Sequence, residues 1–210
     1  MIKKNWGILI VTSIIILLPI LVGVILWDKL PNEIPSHWNI SGEVDAWSSK
    51  STVVFGMPLL MLALQWVGVF ATLTDPKKKN HGSKVIHLVF WLIPTICIVL
   101  SAVSYFAAMG KEVNVEITVP AFLGFIFVVI GNYLPKCKQN YTIGIKIPWT
   151  LSNEENWNKT HRLAGRLWVI CGIVIMLSGF FGLIWIVISA LVIMCLLPFV
   201  YSYILYRKGM

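Results

Sequence analysis

Charge is what this 210-residue chain has least of: 12% Asp, Glu, Lys and Arg, where a soluble domain carries about a quarter. With 58% hydrophobic residues and a mean hydropathy of +0.81, too few polar side chains remain to cover a water-exposed fold. Only nine residues are acidic, and none falls inside an apolar run. An intramembrane carboxylate is costly and marks ion or proton pathways, so its lack argues against proton- or sodium-coupled transport. Cysteine is scarce as well. Cys97, Cys171 and Cys195 lie in apolar runs and Cys137 in a basic stretch, with no paired spacing, which argues against a disulfide scaffold or a thiolate metal site. Neither metal nor cofactor is expected. The net charge of +8 is not gathered on one face with interleaved aromatics, so no direct contact with nucleic acid is expected.

Long apolar runs are what the chain does have. Trp6 to Trp27, Val53 to Leu73, Val85 to Met109, Ile117 to Pro135, Leu167 to Phe181 and Gly182 to Tyr206 are each long enough, at about 1.5 Å per helical residue, to cross or nearly cross a core of roughly 30 Å. The first has no small-x-small cleavage site before Asp28 and reads as a retained helix rather than a signal peptide. The last two are divided only by Ser178, Gly179 and Gly182, which predicts a tight helical hairpin. Pro58, Pro94, Pro120 and Pro198 are helix-kinking positions, without implying a gate. The expectation is an all-α integral membrane protein of the cell membrane with six transmembrane helices, a folded outer loop over 28–52 and an inner loop over 136–166. It divides at the second loop into an N-terminal two-helix unit, 1–84, and a four-helix unit, 85–210.

Orientation follows from cations. With the N-terminus inside, fourteen of seventeen Lys and Arg fall in cytoplasmic segments, leaving only Lys29, Lys50 and Lys111 outside. This bias puts both termini in the cytoplasm.

The outer segment has two prolines, a glycine and many turn formers, which disfavour a helix. His37 with Glu33, Glu43 or Asp45 offers imidazole and carboxylate for a metal site or a general base. The same His37 and Asn39 also suit a purely structural role, satisfying backbone groups of a turn. Trp38 and Trp47 suggest a third reading, recognition of a partner that is apolar at one end and wet at the other.

In the inner segment, Ser152 followed by Glu155 forms a capping-box pattern that predicts a helix from near Asn153 toward Arg166. It either lies at the membrane interface or forms a stem entering the fifth span. Trp157, His161 and Ala164 share one face, with Lys159, Arg162 and Arg166 elsewhere on the helix, where they would favour anionic lipid. Gly144 and Pro148 make Asn140 to Trp149 an extended loop, read either as a docking surface or cavity site, or as a packed re-entrant linker. A polar site around Asn132, Asn140, Trp157 and His161 at the inner leaflet would suit a membrane enzyme or small-solute transporter. His161 has few carboxylate partners for acid–base chemistry.

Two motifs carry a resemblance. The outer piece, Leu30-Pro31 through Ile34-Pro35-Ser36-His37-Trp38-Asn39 with Gly42 and Asp45-Ala46-Trp47, resembles the small N-terminal domain of unknown function that accompanies the SdpI family of bacterial multi-pass membrane proteins. The inner piece is similar to that family's signature: Gly131-Asn132-Tyr133, Asn140, Gly144-Ile145-Lys146, Pro148-Trp149-Thr150-Leu151-Ser152, Trp157, Thr160-His161 and Gly165-Arg166. Lys146 stands where Arg is expected and Ala46 where Gly is; the first keeps the charge but loses the bidentate fork. The resemblance covers nearly the whole chain. It implies immunity to a secreted peptide toxin, in some members coupled to signalling that holds a transcriptional repressor at the membrane. His37, Trp38, Asn39, Asp45 and Trp47 would then meet the toxin or stabilise the outer face. The inner residues, from Asn132 and Asn140 to Thr160, His161 and Arg166, would carry the signature function.

Overall fold

A computed structural model describes residues 2–210, with side chains from Asn5 onward. Its helices are α1 (Ile2–Ile25), α2 (Met57–Thr74), α3 (Ser83–Ala108), α4 (Val115–Tyr133), α5 (Pro148–Ser152), α6 (Glu154–Ser178) and α7 (Ile184–Arg207), and its strands are β1 (Glu33–Trp38) and β2 (Val44–Ser49). Six helical stretches are long and apolar enough to cross a membrane: Asn5–Ile25, Thr52–Thr74, Ser83–Ala108, Val115–Lys136, Glu154–Phe181 and Ile184–Arg207. Five of them match the apolar runs to within a few residues, and the fifth in order begins at Glu154, thirteen residues before the run from Leu167. Large apolar side chains such as Ile25, Phe70 and Trp185 are exposed along them, as lipid-facing helices require. The chain divides into two compact units, Met1–Leu73 with His87–Val115 and Thr74–Ile86 with Glu116–Met210.

In the first unit the segment after α1 is a β-hairpin. Its two strands pair antiparallel from Glu33↔Ser49 to Trp38↔Val44, with register shifts on either side of His37. Ile34 and Leu30 are buried with Val53, Val54 and Tyr105, so the hairpin is seated on helices rather than free. A π-helical turn over Thr52–Gly56 runs without a break into α2, and Pro58, which cannot donate to the turn before it, lies two residues past that π turn. Gly23 lets the π-turn approach, since a Cβ there would come within 2.7 Å of Val54 and the Tyr105 hydroxyl. That hydroxyl donates to the Pro19 carbonyl (3.0 Å). Between the helices Gln65 Nε2 donates to Thr12 Oγ1 (3.1 Å) and to the Phe90 carbonyl (2.9 Å), an interhelical bond of the kind that substitutes for the hydrophobic effect in lipid.

In the second unit α4 and α6 meet along a glycine seam. A Cβ on Gly172 would lie 2.7 Å from the Gly124 carbonyl, one on Gly165 2.8 Å from the Gly131 carbonyl, and one on Gly179 2.9 Å from the Glu116 carbonyl. The seven-residue spacing of Gly165, Gly172 and Gly179 repeats every second turn, which keeps the smallest side chains on one stripe and lets the backbones touch. Cys171 and Ile175 turn the other way, into a core with Val187, Ala190 and Met194 of α7. The predicted tight hairpin is present: a short 3₁₀ turn over Gly179–Phe181 ends at Gly182, whose φ of +63° is left-handed.

Gly172→Val should therefore destabilise the protein by about 1–3 kcal/mol or more, as overpacking does. Gly7→Val, where an added side chain meets nothing within 4 Å, should leave the thermal midpoint in detergent unchanged. Equal midpoints for the two variants would contradict the seam.

Candidate functional site

The polar segment after α4 is folded inward, and Asn140 organises it. Asn140 is 1% exposed. Its Oδ1 accepts from the N–H groups of Thr142 (2.9 Å) and Ile143 (2.7 Å), while Nδ2 donates to the carbonyls of Lys138 (2.8 Å) and Ile143 (2.9 Å). One side chain thus closes a turn whose backbone would otherwise be unsatisfied. Gly144 follows at φ +120°, where L side chains are strained, and a Cβ there would strike the His161 imidazole and crowd the Trp157 ring at 3.1 Å. The chain can therefore run directly over the ring pair.

That pair lies on the first turns of α6. The rings of Trp157 and His161 stack at 4.0 Å, and Trp157 Nε1 donates to the Cys137 carbonyl (2.7 Å). The Ile145 N–H donates to His161 Nε2 (3.0 Å). Nε2 is thus the unprotonated nitrogen, and Nδ1, 2.8 Å from the Trp157 carbonyl, carries the proton. His161 is neutral with both nitrogens engaged. It anchors a loop and holds no free lone pair for a substrate proton. Thr150 Oγ1 lies 2.8 Å from the Ile145 carbonyl and accepts from the Ile147 N–H (3.1 Å). Thr160 donates to Asn156 Oδ1 (3.1 Å), which also accepts from Ser202 Oγ (2.6 Å), tying α6 to α7.

The capping box is the point at which the sequence expectation needs correction. Pro148 starts the one-turn α5, so Ser152 has helical backbone, and its hydroxyl donates to the Trp149 carbonyl (3.1 Å). Asn153, extended at φ −136°, is the N-cap and accepts from the Asn156 N–H (2.9 Å). From there α6 runs unbroken through Arg166 into the fifth span, the stem alternative.

The sequence did not single out the residues that hold this segment from the other side. Asp75, immediately after α2, has a fully buried side chain. Its Oδ1 accepts from the Lys77 N–H (2.6 Å), and its Oδ2 accepts from the Tyr141 N–H (2.9 Å) and Thr142 Oγ1 (2.9 Å), with His81 Nε2 at 3.4 Å. Gln139 adds a second clasp: it takes Lys77 Nζ on Oε1 and Asn80 Nδ2 on its carbonyl (2.7 Å), and Nε2 donates to the carbonyls of Thr150 (2.8 Å) and Leu151 (3.0 Å). Burial alone would raise the Asp75 carboxyl, but the hydrogen bonds from Lys77, Thr142 and Tyr141 and the neighbouring imidazole hold it below its ordinary value. Burial pushes the His81 imidazole down, and Asp75 only partly offsets this. The available signal was a lone carboxylate beside Lys77, Lys78 and Lys79.

Asn140, Gly144, Thr150, Trp157 and His161 are thus brought together, while Thr160 is turned to Asn156 and α7. Asn132, Lys146 and Arg166 are exposed at the periphery, with Asn132 Oδ1 3.5 Å from Lys136 Nζ. Trp149 leaves the loop to pack on Phe199 and Tyr203 of α7 at 5.1 and 5.0 Å. On the hairpin, Asn39 is the turn former: its Oδ1 accepts from the N–H groups of Ser41 (2.9 Å) and Glu43 (3.0 Å). His37 does not serve the turn backbone and pairs with Asp45 (2.5 Å) in solvent. Trp38 is half-buried and Trp47 is 55% exposed. Among the described residues no group of three or more His, Cys, Asp and Glu is placed to hold a metal.

Comparison with known proteins finds the SdpI/YfhL protein family over residues 136–202 and a domain of unknown function, DUF1648, over residues 14–62. The Immunity protein SdpI of Bacillus subtilis (strain 168) is 28% identical over 209 residues, covering 98% of this chain and 97% of that protein. No solved structure matches.

The loop clasp should be acid-sensitive. A histidine whose folded value is depressed binds fewer protons than its unfolded form, so its contribution is whole above the unfolded value of about 6.5 and lost as pH falls below it. Asp75, also depressed, keeps its contribution down to about pH 4 and loses it only in stronger acid. Melting in detergent at pH 7.5 and 5.5 should show the wild type less stable at 5.5, with a smaller difference in His81→Gln. Asp75→Asn should cost about 1.5–3 kcal/mol at both pH values, the worth of hydrogen bonds to a charged group.

Proposed function

We propose, for a chain that belongs to the SdpI/YfhL family and is a multi-pass cell-membrane protein, that it is a membrane immunity protein protecting its cell from a secreted peptide toxin. The observation that carries this reading is similarity along nearly the full length of an immunity protein, with both polar segments inside the matched regions. The cation bias supports an orientation with both termini and the Asn140–Arg166 segment in the cytoplasm and the hairpin outside. Six crossings return the chain to the side from which it starts.

On that orientation the hairpin, with His37, Trp38, Asn39, Asp45 and Trp47, meets the toxin. The exposed cations Lys138, Lys146, Arg162 and Arg166 face anionic lipid headgroups and the acidic patch of a cytoplasmic repressor. Toxin bound outside alters docking inside only if it favours one of two helix arrangements over the other. The role is not enzymatic. His161 spends both nitrogens on the backbone, which supports this.

Expression in a toxin-sensitive strain should restore growth at a toxin concentration that kills the parent. Gly144→Val, which drives a side chain into His161, should abolish that protection. A repressor, where one is recruited, should sediment with membranes only when toxin is present. Equal killing with and without the wild-type protein would overturn the immunity reading.

A further inference from the structure

A two-stranded sheet has two free edges, and the edges of this hairpin are not alike. The Lys50 N–H bonds to the Asn32 carbonyl (2.8 Å), so the neighbouring pair Glu33↔Ser49 is a non-bonded one and Ile34↔Ser48 a bonded one. By the same alternation Pro35↔Trp47 is again non-bonded. The backbone groups of Pro35 and Trp47 therefore point away from the ladder. On β1 that outward position is held by proline, which has no N–H, and the next residue, Ser36, is an extra one with no partner in the register. These devices close an edge to further strands. β2 has no proline, its one extra residue, Asp45, lies on the turn side of Ala46, and Asp45, Ala46, Trp47 and Ser49 are exposed along it. By this alternation the N–H and C=O of Trp47 and the N–H of Ser49 point out from the ladder, while the Ser49 carbonyl leads into the helical turn that begins at Lys50.

We propose that β2 takes up an extended segment of the secreted peptide as a third strand, through the outward backbone groups of Trp47 and Ser49. This rests on the immunity reading and on the outer placement of the hairpin, and it specifies how the peptide is held. Main-chain bonds supply affinity and alternate side chains supply choice. Asp45 is the extra residue of β2 and is engaged by His37 (2.5 Å), which leaves Trp47 as the side chain that chooses along this edge. It selects an apolar residue that covers the indole, on a peptide that is cationic overall. Charge agrees. Residues 28–52 carry four carboxylates, Asp28, Glu33, Glu43 and Asp45, against Lys29 and Lys50. Lys50 Nζ is turned inward onto the carbonyls of Trp27 (2.9 Å) and Leu30 (2.8 Å).

The test is amide exchange on the full-length protein in nanodiscs, with and without the secreted peptide purified from the killing strain of the survival assay. The Trp47 and Ser49 amides should slow by about tenfold or more when peptide is bound, as newly bonded amides do. The Ser48 amide, already bonded to β1, should not change. Trp47→Pro should lose peptide binding and protection, while Trp47→Val, which keeps the N–H, should weaken binding by less. A Ser48 amide still slow in Trp47→Pro shows the hairpin intact; if it is lost, exchange in the wild type decides alone. Bound peptide with Trp47 still exchanging freely, or full protection by a folded Trp47→Pro, overturns strand addition and leaves immunity standing. A wild-type chain that protects against no secreted peptide overturns both.

Discussion

A carboxylate removed from water must be given donors or be neutralised, and Asp75 is given the N–H groups of Lys77 and Tyr141 and the hydroxyl of Thr142. Those donors come from two stretches of sequence more than sixty residues apart, so meeting the need of one charge fixes the 75–81 turn and the 139–142 loop together. Gln139 and Asn140 apply the same rule to neutral groups. Unpaired buried backbone is costly enough, at about 1–3 kcal/mol per group, that a loop of this length can lie against helices only if its polar groups are supplied with partners. The side chains that look functional in the sequence here include several whose work is to supply them.

The helices were legible because lipid imposes a single rule, a run of about twenty apolar residues, and Phe181 and Gly182 mark the break that Gly182 makes at φ +63°. The glycine seam was not legible. Gly131 and Gly165 stood out only as motif residues and Gly124 and Gly172 not at all, and only the antiparallel register of α4 and α6 sets their backbones in contact. The hairpin was half legible: Pro31, Pro35 and Gly42 excluded a helix, but strand pairing depends on Ile34 finding a pocket of Val53, Val54 and Tyr105 from distant sequence. Ser152 misled because Pro148 starts its own turn.

The candidate site was legible in the same uneven way. Motif residues marked the loop from Asn140 to His161 correctly as one object, yet spacing along the chain carries no trace of Asp75 or His81, which reach it from the α2–α3 turn. Nor did spacing reveal that His161 is saturated by Ile145 and the Trp157 carbonyl. Those bonds separate a structural histidine from a catalytic one. The two polar segments now have different physical characters. The Asn140 loop is closed on itself, with its cations at the rim, whereas β2 keeps the Trp47 indole exposed.

The account depends most on the two segments facing opposite compartments. A membrane-impermeant thiol reagent applied to intact cells, with Cys195 replaced, tests this directly on Ile40→Cys at the hairpin tip and Lys146→Cys on the signature loop. Ile40→Cys should label at once and Lys146→Cys only after permeabilisation. Labelling of Lys146→Cys from outside, with Ile40→Cys protected, would contradict it.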